Sequence, residues 1–344
     1  MNTRHQDMPD GGPADTATAR IFVVAPRTDD PGNFIRDSLR VAQFSDRHGF
    51  TGILLFTGNN VALDAWSMAH RILSSTRNLS PLIAVNPIYS HPFTTAKMIS
   101  SIAQLFDRKV FLNMVTGATT SDLVGLGDHR SHAERYERLE EYIAVVSALC
   151  TNPRPLNYDG NYYKASQLKL HPPLLAEFAP EFLIAGGSDN ARRLSASSGS
   201  IAMQMLPPDL DEGLVGVSGV NMGILTRESK DEAWAAARQR FPDTVEGKTV
   251  LSMTMANTDS IWKKRLYAAG GNQVLHENGY WLSPFMNYQA DCPYLVGSYF
   301  DVASFIKKVI EKGIKTIILD VIPDEEELVH IQRAMVLSAS LADH

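Results

Sequence analysis

Cysteine is almost absent from this chain, which has only Cys150 and Cys292. Two cysteines without metal-ligand spacing exclude a disulfide framework and a Cys-rich metal centre, and they fit a reducing cytoplasm, with both read as packed or surface thiols. No apolar run approaches the roughly 20 residues that a membrane helix needs. Residues 1–19 also lack the apolar core of a secretory signal, so they read as a disordered leader. Positive charge is not in excess: a formal charge of -6 and a pI near 5.9 leave no basic face for a nucleic-acid backbone. Familiar catalytic signatures are missing as well. There is no GxGxxG after a strand, no Walker A sequence, no HExxH or paired CxxC, and no GxSxG elbow. The histidines His91, His129, His132, His171 and His276 show no metal-ligand spacing. With neither nucleophile motif nor metal, reactivity is expected from a bound cofactor that carries a phosphate.

What the sequence does contain is an alternation of apolar runs and helical patterns. At 344 residues, 44% hydrophobic and 20% charged, the composition is that of a soluble globular protein long enough for one α/β barrel. Short apolar runs at 21–25, 51–56, 81–85, 110–116, 181–185, 201–205, 217–225 and 316–321 read as buried strands, with helices between them over 33–48, 63–73, 94–106, 131–149, 190–198, 228–240 and 298–312. A last helix follows over 324–341. That cadence means right-handed βαβ units, and eight strands predict an α/β fold of the TIM (β/α)8 barrel class, one domain over 20–344. Asp159-Gly160, between Asn157-Tyr158 and Tyr162-Tyr163 as the paired strands, marks a small hairpin excursion. The stretch 241–297 has no clean period beyond some helix over 260–269 and reads as a long insertion before the last βα unit. Its aromatics, Trp262, Tyr267, Tyr280, Trp281, Phe285 and Tyr288, suit either a lid or an ordinary packed core.

The chain is organised around 109–136, KVFLNMVTGATTSDLVGLGDHRSHAERY: a strand, a polar loop and a helix start. Ser131 and Glu134 are spaced as a capping box. His132 and Tyr136, four apart, share one face of that helix. In a barrel of this class the loops after strand C-termini form the active face. On that face fall Arg27, Asn59 and Asn60, Asn86 to His91, Asn113, Thr116, and Gly186-Gly187-Ser188. A Gly-Gly-Ser turn ahead of a helix presents free amides at the positive end of the dipole, which suits a phosphate, although a tight turn with a Ser cap reads the same way.

These motifs together resemble those of the bacterial luciferase-like flavin-dependent monooxygenases, most closely the alkanesulfonate monooxygenase branch. The likeness rests on FLNMVTG followed by HAERYERLEEY, on FTGNN with DAW, and on YDGNYYKASQLKLHPP, FLIAGGSDNARRLSA, TRESKDEAW and LVGS. It implies reduced FMN as cosubstrate, O2, a separate NAD(P)H:flavin reductase that supplies the flavin, a small organic substrate, and a homodimer or homotetramer. It also implies that Asn113 and Thr116 lie beside the flavin ring, with His132 and Tyr136 at the flavin or its phosphate and Gly186, Gly187 and Ser188 holding the phosphate. Asn59 would line the pocket or cap the next helix, and Tyr136 equally suits helix–sheet packing. His132, His91 and Asn113 are the catalytic candidates, His91 as acid or base or as a plain loop residue. The chain departs from the sulfonate branch at Val61-Ala62-Leu63, where a Cys is expected, and at Val220 to Gly223, where an Arg and a His are expected. It departs again in NYQADCPYLVG, which has no Arg, and at Ile322 in place of a Tyr. Desulfonation is therefore disfavoured, and Val220, Met222, Met203 and Met205 read as an apolar, adaptable pocket. Two alternatives stay open: an F420-dependent oxidoreductase of the same superfamily, and a non-catalytic flavin-binding relative.

Overall fold

The computed structural model describes residues 19–59, 61–117, 120–256, 258, 260–270 and 278–341. Eight parallel strands close into a barrel: β1 (Arg20–Val24), β2 (Gly52–Leu55), β3 (Ser80–Val85), β4 (Phe111–Met114), β5 (Glu181–Ala185), β6 (Ile201–Met205), β7 (Gly219–Arg227) and β8 (Thr316–Leu319). Each strand pairs with the next, and β8 closes on β1 in the register Arg20↔Thr316 to Val23↔Leu319. All eight are the apolar runs expected from sequence. Parallel strands covered by helices are buried on both faces, which is why they read as continuous apolar runs.

Strand period sorts the side chains. Phe22, Val24, Leu54, Leu82, Phe111, Leu183, Met203 and Ile318 meet inside the barrel, while Val23, Ile53, Ile83, Leu112, Ile184, Val220 and Ile317 pack against the helices. Side-chain caps set the helix starts: Asp64 ahead of Ala65–Leu73, Ser131 ahead of His132–Thr151, and Ser188 ahead of Asp189–Ser198.

Two regions differ from expectation. The hairpin joins Leu156–Asp159 to Lys164–Leu168, so Tyr162 and Tyr163 belong to its loop, not to its second strand. The cause is Glu141 on the neighbouring helix, whose carboxylate accepts from the backbone N–H groups of Asn161, Tyr162 and Tyr163 at 2.7 to 3.0 Å. The insertion contains a helix, Val245–Ala256, that shows no periodic signal because only Leu251 on it is buried. It also contains the strand Tyr294–Ser298, which pairs in parallel with the outer half of β7, from Tyr294↔Gly223 to Ser298↔Arg227. Gly223 permits this. A Cβ there would lie 2.3 Å from the Tyr294 ring. Among the described residues, no helix is long and apolar enough to cross a membrane.

Candidate active site

At the C-terminal rim, β5 runs into Gly186-Gly187-Ser188 and the helix Asp189–Ser198. The Ser188 hydroxyl accepts from the Ala191 N–H at 3.2 Å and so caps that helix. Gly186 has φ +154°, and a Cβ on it would stand 3.0 Å from both the Tyr136 hydroxyl and the Ala191 Cβ. The turn therefore sits against the opening turns of the helix His132–Thr151. Asn190 Nδ2 lies 3.5 Å from His132 Nδ1, and the His132 and Tyr136 rings are 4.9 Å apart.

That helix start is fixed from both sides. Ser131 and Glu134 form the expected capping box, with the Ser131 N–H donating to Glu134 at 2.8 Å and the Glu134 N–H to Ser131 at 3.3 Å. Just before it, buried Asp128 accepts from Arg138 at 2.6 Å and from Arg130 at 2.9 Å. Burial opposes ionisation of Asp128, but these two guanidinium bonds hold its carboxyl below the ordinary carboxylate range.

Beside the turn, a cavity of about 690 Å³ opens at the barrel mouth. Its floor is the apolar inner layer of Leu54, Ala84, Ala185, Met203 and Ile318, and three amides project among them: Asn86, Asn113 and Asn221. Among the described residues, the buried Asn221 Oδ1 has no hydrogen-bond partner. The insertion supplies the far wall through Trp262, Lys263, Tyr288 and Asp291. There Asp291 pairs with Arg27 at 2.5 Å and with Lys263 at 3.0 Å, while Arg27 lies 3.8 Å from Asp320. Burial raises the Asp320 carboxyl pKa despite that arginine, and the Tyr294 O–H donates to it at 3.0 Å. Asp291 behaves in the opposite sense: burial opposes it, but Lys263 and Arg27 hold it below the usual range. A second cavity of about 480 Å³ adjoins, sharing Met203, Met205 and Trp262 and reaching under Gly186, Gly187, Arg192 and Arg265.

Of the residues singled out from sequence, Asn113 lines the larger cavity. Thr116 is half-buried between Val115 and Gly117, which do line it. His132, Tyr136, Gly186, Gly187 and Ser188 come together at the rim, and of these none lines the larger cavity itself. His91 is the exposed N-cap of the helix Pro92–Phe106: its Nδ1 accepts from the Phe93 N–H at 3.1 Å and its ring meets Tyr163 edge-on, and it does not line the larger cavity. Asn59 is exposed in a neighbouring cleft and does not cap the next helix, where Asp64 takes that role, and Asn60 lies outside the described residues. Val220 and Met222 face the helix layer, and the residue of β7 that reaches the cavity is Asn221 between them. The lid aromatics divide: Trp262 and Tyr288 line the cavity, Tyr267 is exposed, and Tyr280, Trp281 and Phe285 are buried core. Asp291, Lys263 and Asp320 carry no local sequence signal, since their partners lie in other elements.

Residues 18–213 match the family model described as luciferase-like monooxygenase. The chain belongs to that family. Among curated proteins it is 30% identical over 310 residues to the 4-(gamma-L-glutamylamino)butanoyl-[BtrI acyl-carrier protein] monooxygenase BtrO of Niallia circulans, a match that covers 87% of this chain and 90% of that protein. Among solved structures, EDTA monooxygenase (EmoA) from Chelativorans sp. BNC1 superposes with a TM-score of 0.71 at 18% identity, covering 94% of each chain. An F420-dependent secondary alcohol dehydrogenase superposes with a TM-score of 0.64 at 16% identity, covering 93% of this chain and 99% of that one. Both structural likenesses are of fold. These likenesses reach the family as a whole and do not single out its alkanesulfonate branch.

Proposed function

We propose that this luciferase-like protein is the oxygenating component of a two-component system, taking reduced FMN from a separate NAD(P)H:flavin reductase and using O2 to hydroxylate or insert oxygen into an organic substrate. The observation that carries this reading is the meeting of Gly186-Gly187-Ser188 with the first turns of the His132 helix beside a large, mostly apolar cavity at the barrel mouth.

The residues fit a phosphorylated flavin. The Gly-Gly turn is bare where a Cβ would crowd Tyr136, and it leads into a helix N-terminus, whose amides favour a phosphate. The orphaned Asn221 oxygen is an acceptor in the cavity that needs a donor, such as a ring N–H. His132, Tyr136, Gly186, Gly187 and Ser188 would hold the phosphate end, and Asn86, Asn113 and Asn221 the polar edge of the ring. Bound there, the reduced flavin supplies the activation of O2 for transfer of one oxygen atom. The chain's own part is to orient the substrate over the amides and to keep water out with Trp262 and Tyr288. A sulfonate is a poor fit, because Arg27 and Lys263 on the cavity wall are both paired with Asp291. The likeness to BtrO, whose name gives a carrier-bound acyl substrate, favours an acyl derivative.

The test is an anaerobic titration of the pure protein with reduced FMN and with F420, followed by oxygen uptake and product analysis with acyl substrates offered free and carrier-bound. Saturable FMN binding and oxygen uptake above the reductase-only rate, with product, are expected. Tight F420 binding with no affinity for FMN would assign hydride transfer instead. FMN binding without any substrate-dependent oxygen uptake would mark a flavin-binding relative without turnover.

A further inference from the structure

The neighbouring cleft that holds Asn59 is an annex of the larger cavity. It has a volume of about 580 Å³, lies over the loops after β2, β3 and β4, and shares Thr57, Gly58, Val61, Tyr89 and Asp122 with that cavity. It shares no lining residue with the 480 Å³ cavity under the Gly-Gly turn, so the barrel mouth opens in two directions. The flavin reading above uses only one of them. The annex has apolar walls at Val61, Leu63 and Leu126, and its charged side chains are two carboxylates, Asp64 and Asp122. Among the described residues no Lys, Arg or His lines it. Asp64 is engaged as a helix cap, its Oδ1 accepting from the Ser67 N–H at 2.8 Å. Asp122 is half-buried at the threshold between annex and cavity, and among the described residues its carboxylate has no hydrogen bond or ion pair. Its charge reaches the Tyr89 hydroxyl, whose pKa is raised by burial first and by Asp122 second. On the cavity floor Asn113, 8% exposed, also has an amide without a hydrogen bond among the described residues, so the space that it faces is built for a polar ligand.

We infer that the annex holds the remote end of the substrate and selects a tail that ends in a protonated amine. The inference rests on the flavin reading, since the Gly-Gly turn and the His132 helix then take the cofactor's phosphate and leave the annex to the substrate. The physical case is one of charge. A half-buried carboxylate without a partner gains most from a cation that brings its own donors, and an ammonium carries three. Tyr89, beside Asp122, adds an aromatic ring to which a cation is attracted. An anionic tail would meet two carboxylates and no counter-charge, which extends the poor fit of a sulfonate from the cavity wall to the annex. A neutral tail gains only the apolar walls.

The experiment measures, by calorimetry on the full chain, the binding of three esters of one six-carbon acyl chain: methyl 6-aminohexanoate, methyl hexanoate and monomethyl adipate, whose tails are cationic, neutral and anionic. The wild type should bind the amine about tenfold more tightly than the neutral ester, as for one charge-assisted contact, and the anionic ester most weakly. In Asp122→Asn the amine should lose that tenfold and fall to the affinity of the neutral ester, which itself moves by less than about twofold. Leu126→Trp fills the annex from an exposed position, so the amine and the neutral ester should weaken together. Equal affinity for these two in the wild type, no ester bound at all, or a preference kept in Asp122→Asn overturns the inference. Full affinity for both in Leu126→Trp overturns it too. Reduced FMN titrated into the same wild-type protein keeps the two readings apart: its binding alongside any of those outcomes leaves the flavin site standing, and its failure to bind overturns the flavin reading itself. The Asp122 carboxylate has no bond to lose among the described residues and Leu126 is 51% exposed, so both variants should keep the wild-type melting temperature.

Discussion

Asn221 stands on the inner face of β7 with Val220 and Met222 turned to the helices on either side of it. Its unpartnered buried oxygen costs stability in the free protein. Asn221→Leu should therefore leave the denaturation midpoint unchanged or raise stability by up to about 1 kcal/mol, while weakening reduced-flavin affinity. A lower midpoint with undiminished affinity would show that the amide serves the fold. Asp128 behaves in the contrary way, because its two arginine bonds depress its folded-state pKa. The stability that it contributes is present above its unfolded value of about 3.9 and is lost as pH falls through the lower folded value. Asp128→Asn should cost about 3 kcal/mol near neutral pH, by leaving Arg138 buried without its counter-charge. The difference from wild type should shrink below about pH 4. Urea unfolding from pH 3 to 7 measures it, and a pH-independent difference would assign the loss to packing.

At the scale of elements, the outer half of β7 decides where the insertion attaches. Gly223 lets the Tyr294 ring lie flat against the strand, with its hydroxyl on Asp320. Gly223→Ala would push a methyl into three ring atoms, so it should destabilise by about 1–3 kcal/mol and break the Tyr294–Asp320 bond. Thermal melts and the tyrosine near-ultraviolet signal would register both effects. An unchanged melt would mean that strand Tyr294–Ser298 shifts freely. The helix Val245–Ala256 teaches a related lesson. It has a single buried residue and no amphipathic stripe, so nothing in its residue spacing distinguishes it from loop.

For the whole molecule, the connection between barrel and insertion at the cavity mouth is electrostatic. Asp291 joins Arg27, from the loop after β1, to Lys263 on the helix that also carries Trp262 and Arg265. Asp291→Ala should free that helix, giving faster tryptic cleavage within 241–297 and a larger share of oxygen consumed without product. Cleavage and coupling both equal to wild type would show that the apolar contacts of the insertion hold it closed unaided.

Composition and period determined the barrel by themselves, because buried parallel strands and capped amphipathic helices are written locally, in elements of 4 to 20 residues. The capping box at Ser131 and the Gly-Gly-Ser turn were legible for the same reason. That these two lie against each other is a property of the closed sheet, which sets β4 beside β5 although some 70 residues separate them. Only the tertiary structure decided that His91 is a helix cap that does not line the larger cavity, that Asn221 faces it in place of Val220 and Met222, and that Arg27, Lys263, Asp291 and Asp320 form one charged cluster. Strand parity and long-range pairing are geometric facts of the assembled barrel, and no short stretch of sequence carries them.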